Sequence, residues 1–185
     1  MSLNKFNRRI AIFVSGSGST LQALLDMQEY LCIGLVVTNK KKCLAVTKAR
    51  RFGIPVLYFE RTMTYSQLNL ILKTYKINSL FLAGFMKIVP ADFLSEWVGH
   101  IFNIHPSLLP KYKGLNAFER ALEQKDSTGA SIHHVVEGVD EGEVILQKKS
   151  AIRSDDKSLS DNLLLLRKTE QYLLRQFVLK GVHFV

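Results

Sequence analysis

Short apolar runs alternate along this chain with longer segments whose apolar residues recur every three or four positions. RIAIFV (9–14), CIGLVVTN (32–39), IPVLYF (54–59) and SLFLAG (79–84) have strand length and no regular polar face. That is the pattern of strands covered on both sides, as in a parallel sheet. Between them TLQALLDMQEY (20–30) sets Leu21, Leu24 and Leu25 on one helical face, and residues 42–52 and TYSQLNLILKTYKI (64–77) also read as helices. Strand, helix and strand in succession predict an α/β fold built as a doubly wound, mostly parallel sheet with flanking helices.

Beyond Pro90 the pattern shifts. ADFLSEW (91–97) suits a short helix, HIFNI (100–104) a strand, and NAFERALEQ (116–124) a helix after Gly114. ASIHHVV (130–136) and EVILQKKSAI (143–152) read as long strands that pair around EGVDEG. The last segment, 158–179, has the spacing of a long amphipathic helix, with Ser158 and Asp161 in a capping-box-like arrangement. No repeat, low-complexity stretch or linker interrupts the 185 residues, so one domain over 1–185 is expected.

Composition narrows the function. With 47% apolar residues the chain can bury one good core, and its formal charge of +9 suits an anionic partner. The densest basic run, Lys40 to Lys42, adjoins Asn39 and reads as a solvated turn, with Lys48, Arg50 and Arg51 on the helix that follows. Charge alone does not choose among nucleic acid, a membrane surface and small phosphorylated or carboxylated ligands, but no aromatic residues interleave with these charges, so a solvated surface is favoured over nucleic-acid binding. No apolar run reaches the length of a membrane span, and the first residues lack the pattern of a secretion signal. The leucines of 163–166 are followed at once by Arg167, Lys168 and Glu170, as on a helix with one buried face. Cys32 and Cys43 lack metal-ligand spacing, which favours reduced thiols and a cytoplasmic location.

Two stretches carry chemistry. SGSGSTLQ (15–22) follows a buried strand and opens a helix: Gly16 and Gly18 permit a tight turn, and the unpaired amides of a helix N-terminus suit a phosphate. It is neither a Walker loop nor a complete dinucleotide fingerprint, and an ordinary N-cap by Ser19 or Thr20 is an equal reading of the stretch alone. NIHPSLLP (103–110) sits where an open parallel sheet gathers its ligands, outside the carboxyl end of a strand. Asn103 and His105, two apart on extended chain, project to the same side. An amide can donate to an oxygen on which charge develops, and an imidazole exchanges protons near neutrality. Pro106 and Pro110 stiffen the chain around the pair. Asp140, in the loop before a strand, is the carboxylate that would favour a charged His105. His133 and His134, adjacent on a strand, point to opposite faces and form no metal pair; one of them is expected to support the active-site strand. Phe81, Phe85 and Phe102 read as core or pocket wall, and Trp97 as helix packing.

VSGSGSTLQALLD, LAGFMKIVP, FNIHPSLLPKYKGLNAFERALE and GASIHHVVEGVDEGEVILQ, in this order, resemble consecutive motifs of the phosphoribosylglycinamide formyltransferase family, folate-dependent enzymes of purine biosynthesis. With the terminal helix they cover nearly the whole chain. HPSLLP and the later Asp-x-Gly recur across the wider formyltransferase superfamily and point to formyl transfer. The serine- and glycine-rich loop points to glycinamide ribonucleotide as acceptor. The resemblance implies a Rossmann-like formyltransferase fold, 10-formyltetrahydrofolate as formyl donor, and no metal. By matching motif Asn103, His105 and Asp140 are the catalytic residues: Asn103 and protonated His105 stabilise the tetrahedral intermediate, while Asp140 maintains the imidazolium and orders a proton-relaying water. Gly18, Ser19, Thr20 and the Glu170 of KTEQ would hold the ribonucleotide, and Met86, Lys87, Ile88 and Val89 would line the folate pocket. Small molecules are the expected partners, bound by a monomer or homodimer, with no nucleic acid and no membrane.

The chain departs from the family pattern where Thr20 replaces a usual Asn, Lys87 a frequent Arg, and Phe118 and Gln171 two frequent histidines. The departures leave Asn103, His105 and Asp140 intact but bear on the acceptor. They keep two alternatives open: a formyltransferase acting on an amino sugar, and a nucleotide- or folate-binding homologue without turnover.

Overall fold

A computed structural model of the protein describes residues 9–151 and 158–181. Seven strands form one sheet: β1 (Arg9–Val14), β2 (Cys32–Thr38), β3 (Val56–Tyr58), β4 (Ile77–Leu82), β5 (His100–His105), β6 (Gly129–His134) and β7 (Val144–Lys149). Their order is β3-β2-β1-β4-β5-β6-β7. Pairings among the first five are parallel, while β5 with β6 and β6 with β7 are antiparallel. Among the described residues six helices flank it: α1 (Ser19–Leu25), α2 (Leu44–Arg51), α3 (Tyr65–Thr74), α4 (Ala91–Glu96), α5 (Ala117–Glu123) and α6 (Leu159–Lys180). The doubly wound, mostly parallel arrangement expected from the alternation of apolar runs is therefore present.

The apolar runs lack a polar face because both sides of the sheet are covered. Along β1, Ile10, Ile12 and Val14 enter one core with Leu21, Leu24 and Phe177, while Ala11 and Phe13 enter a second with Leu68, Leu72 and Phe93. Phe81 and Phe102 lie in the first core, and both rings meet Phe177 of α6 at 5.4 and 5.0 Å between centroids. Trp97 stacks on Phe93 in the second, and Phe118 is buried in the first. Phe81, Phe102 and Trp97 are thus core, whereas Phe85 is only partly buried against the second core, its ring edge-on to Phe13 at 5.2 Å.

Element ends follow their local chemistry. Helix α1 stops at Leu25, well short of Tyr30, and the chain continues in i→i+3 turns such as Met27 N–H to the Leu24 carbonyl at 3.1 Å. Strand β3 is shorter than the 54–59 run, although the Val36 amide still reaches the Pro55 carbonyl at 2.9 Å. Helix α3 begins with a Thr64–Gln67 capping box, and the Ser158 hydroxyl accepts from the Asp161 amide at the start of α6. Ile152, the end of the run expected to form the last strand, lies outside the described residues.

Candidate active site

The strand order reverses between β1 and β4: β2 and β3 extend to one side of β1, β5 and the rest to the other. At such a switch point the loops leaving two neighbouring strands diverge and open a crevice at the carboxyl edge. Here the loops after β1 and β4 form its rims and are tied together. The Ser15 amide donates to the Gly84 carbonyl at 3.2 Å, and the Ser15 hydroxyl donates to Asn39 Oδ1 at 2.8 Å while accepting from the Met86 amide at 3.1 Å.

The rim after β1 is a backbone device. Gly18 is the N-cap of α1 at φ 69°, and no side chain caps the helix, so the hydroxyls of Ser19 and Thr20 do not satisfy its first amides. Gly18 has no room for a Cβ, which would stand 2.8 Å from the Cβ of Ala45 on α2. Gly16 by contrast has nothing within 4 Å of such an atom. Lys48 brings a cation to the loop, its Nζ donating to the Gly18 carbonyl at 3.0 Å. Ser19 and Thr20 also share a small recess with Arg167, Glu170 and Gln171 of α6. Burial pushes the Glu170 carboxyl up to about 7, against the opposing charge of Arg167.

The end of β5 meets the loop between β6 and β7 in a cluster centred on Asp140. His105 Nδ1 lies 3.2 Å from Asp140 Oδ2, and the Gly114 amide donates to the same oxygen at 2.8 Å. The other carboxylate oxygen accepts from Asn103 Nδ2 at 3.3 Å and lies 3.4 Å from His133 Nε2. Asn103 Nδ2 is 3.1 Å from His133 Nε2, and His133 Nδ1 donates to the His134 carbonyl at 2.7 Å. Strand pairing makes this possible, since Asn103 stands opposite His133 in the β5·β6 register. The Asp-x-Gly spacing also has a physical reason. Asp140 adopts φ 53°, and a Cβ on Gly142 would overlap the His134 carbonyl oxygen, so only glycine brings the loop close enough.

His105 Nε2 lies 2.9 Å from the Tyr112 carbonyl. Both ring nitrogens therefore face groups that only accept, an arrangement satisfied in full by the imidazolium. Burial nevertheless holds the His105 pKa below its ordinary value, opposed by the Tyr112 carbonyl and then by Asp140, and assisted by His133 and Arg120. Asp140 does push the imidazole upward as the sequence led us to expect, but desolvation outweighs it. Burial also pushes Asp140 upward, yet the His133 hydrogen bond, the Gly114 amide and the two histidine charges hold its carboxyl below the usual value. The cluster is thus a stable carboxylate beside a histidine that gains most from protonation when negative charge appears nearby.

The HPSLLP loop is held from below. The Ser131 hydroxyl donates to the Ser107 carbonyl at 2.6 Å and accepts from the Leu109 amide at 3.2 Å, and Gln147 Nε2 donates to the Leu109 carbonyl at 2.8 Å. On the rim after β4, Met86 and Ile88 are 65% and 74% exposed, whereas Val89 is buried in the second core. Lys87 Nζ sits 4.5 Å over the Phe59 ring and the Tyr65 hydroxyl donates to the Ile88 carbonyl at 3.0 Å. Met86 and Ile88 are the apolar side chains of this segment that face solvent.

Two polar residues at these sites, Lys48 and Arg167, carry no sequence signal that places them there, and a third, His133, belongs to the histidine pair of which one is expected to support the active-site strand. His133 was signalled only by the alternation that separates it from His134, which packs instead on Phe102 at 5.1 Å. Lys48 was read as a solvated helix residue and Arg167 as a surface charge; their places beside 15–20 depend on how α2 and α6 pack, which local pattern does not encode.

Residues 8–176 match the family model for formyl transferase. Over 160 residues the chain is 36% identical to the phosphoribosylglycinamide formyltransferase of Haemophilus influenzae, covering 80% of this chain and 76% of that protein. It is 40% identical over 166 residues to the human trifunctional purine biosynthetic protein adenosine-3, covering 84% of this chain and 16% of that protein. The chain thus spans only 12–17% of the length of its trifunctional relatives. The crystal structure of phosphoribosylglycinamide formyltransferase from Bacillus halodurans superposes with a TM-score of 0.86 at 30% identity, covering 96% of this chain and 100% of that one.

Proposed function

The chain belongs to the formyl transferase family, and on that premise we propose that it transfers a formyl group from 10-formyltetrahydrofolate to the amine of glycinamide ribonucleotide. The observation that carries the reading is the convergence of Asn103, His105 and His133 on one carboxylate, at the same edge of the sheet as an uncapped glycine loop. In this reading Gly18, Ser19, Thr20 and Glu170 take the ribonucleotide, with Lys48 and Arg167 adding positive charge. Met86 to Ile88 flank the folate, while Val89, expected beside it, is buried and anchors the segment in the second core. The two free thiols suit the cytoplasm.

Attack by the amine lone pair on the formyl carbon moves the carbonyl π electrons onto oxygen. Asn103 meets that oxygen by redirecting the hydrogen that makes its long bond to Asp140. The new negative charge raises the proton affinity of His105, whose cation is already matched by Asp140 and Tyr112. Collapse restores the carbonyl and breaks the bond to the folate nitrogen, which takes up a proton as the former amine gives one up through a water ordered by Asp140. Turnover with a labelled formyl donor against glycinamide ribonucleotide and a panel of amino sugars tests the assignment. Label on glycinamide ribonucleotide alone is the expected result; label on an amino sugar, or binding without transfer, overturns it.

A further inference from the structure

The loop 111–114 supplies two backbone groups to the Asp140 cluster: the Tyr112 carbonyl to His105 and the Gly114 amide to Asp140. Neither group is placed by regular structure. Tyr112 adopts φ 55°, a left-handed conformation that a bulky residue takes only when its surroundings hold it there. The holding is visible. The Tyr112 hydroxyl lies 3.0 Å from Asp126 Oδ2 and 2.9 Å from Gln124 Oε1, so its single hydrogen has an acceptor in either direction. Lys111 Nζ donates to the same Asp126 oxygen at 2.8 Å, and the Ser127 amide donates to the other at 2.6 Å. Arg120 lies over the Tyr112 ring at 5.9 Å and donates to the Lys113 carbonyl.

We propose that Asp126 is a positioning residue for the transfer reaction: by holding the Tyr112 hydroxyl it fixes the Tyr112 carbonyl against His105 Nε2 and the Gly114 amide against Asp140. The inference rests on the reading of His105 and Asp140 as reacting groups. Asp126 lies beyond the end of α5, touches no cluster residue, and acts through one turn of chain. Its salt bridge to Lys111, whose side chain is 62% exposed, adds little to stability on its own. What the carboxylate does is orient. Its pKa is held down to about 2, chiefly by the Lys111 hydrogen bond and then by the Ser127 amide and the Tyr112 hydroxyl, so it stays an acceptor across the working pH range.

The charged and titratable groups that act on His105 are Asp140, His133 and Arg120, and none of them is removed by changing Asp126. Asp126→Ala and Tyr112→Phe are therefore expected to lower kcat between about tenfold and a hundredfold through misplacement, with KM for both substrates within about twofold. Both should move the His105 titration, read from its ring protons by NMR, to lower pH, because the imidazolium loses an acceptor. The limb of the pH–rate profile should follow. Tyr112→Phe keeps the ring and its contact with Arg120, so it reports even where Asp126→Ala fails to fold. A lower melting temperature with an unmoved His105 titration in both variants overturns the inference and makes Asp126 a mere staple. The titration needs no substrate, so it separates this failure from that of the reaction reading, which full turnover by His105→Ala would sink.

Discussion

The Asp140 cluster and the loop at 15–20 share one edge of the sheet and are built on opposite principles. In the cluster, four side chains from two strands and a loop satisfy one another, and backbone groups from 112 and 114 fill the remaining positions. In the loop no side chain caps the helix, and what is offered is a tight turn of backbone with a cation, Lys48, alongside. A reacting centre must hold several polar groups at fixed mutual distances, and that takes particular side chains. On the proposed reading the loop meets a phosphate with amides alone, so its residues serve by what they lack.

The contrast predicts different responses to mutation. In the cluster, truncation removes chemistry: His105→Ala should lower turnover on the order of a hundredfold or more in a folded protein. Asp140→Asn should cost a comparable amount, and the double variant little more than either, because groups acting as a unit fail together. The sign of the pH effect follows from the forces on His105. Asp140 pushes its pKa upward against burial, so the Asn variant should titrate at lower pH than the parent and lose its protonated, active form earlier as pH rises. An unchanged histidine titration with fully multiplicative rate losses would separate the two residues.

The same contrast explains what the sequence disclosed. Asn103, His105 and Asp140 stood out because uncommon residue types occur at telling positions, two apart on a strand and before a glycine. Most of the sheet was readable because strands covered on both faces leave continuous apolar runs. The antiparallel turn of β6 and β7 was readable from two runs around EGVDEG. What remained hidden depends on distance in the fold: His133 faces Asp140 through the β5·β6 register, and Lys48 and Arg167 reach 15–20 through helix packing. The Tyr112 carbonyl was hidden for another reason, since a backbone group carries no residue signature.

In the loop, substitution should obstruct without removing any functional atom. Gly16 faces open space, so Gly16→Val is expected to fold normally and to weaken glycinamide ribonucleotide about tenfold or more, the worth of one charge-assisted hydrogen bond, while folate binding is unaffected. Gly18→Ala is the counterpart. It adds a Cβ against Ala45 in a left-handed residue, so it should damage the packing of α1 on α2, lower the melting temperature and weaken both ligands together. Calorimetric titration of each variant with each ligand reads the difference. Equal losses from Gly16→Val would show that the loop serves the fold and not the phosphate.

The smallest expected effect lies where α6 closes over the loop. Glu170 titrates at about 7 in the folded protein against an ordinary value of 4.5, because burial disfavours its charge. Between those values the native state keeps a proton that the unfolded chain has released, so stability should fall as pH rises from about 4.5 through about 7. Glu170→Gln imitates the protonated carboxyl at every pH and should remove that slope. The two proteins should melt together near pH 4.5, where Glu170 is neutral when folded, and diverge above it, the variant being more stable at pH 8 by on the order of 1–3 kcal/mol. For a chain of this size each kcal/mol is about 2–4 °C in melting temperature, within reach of calorimetry. Parallel melting curves across the range would mean that Glu170 ionises as an ordinary surface carboxylate, and that the recess it shares with Ser19 and Thr20 is open to water rather than sealed by the helix.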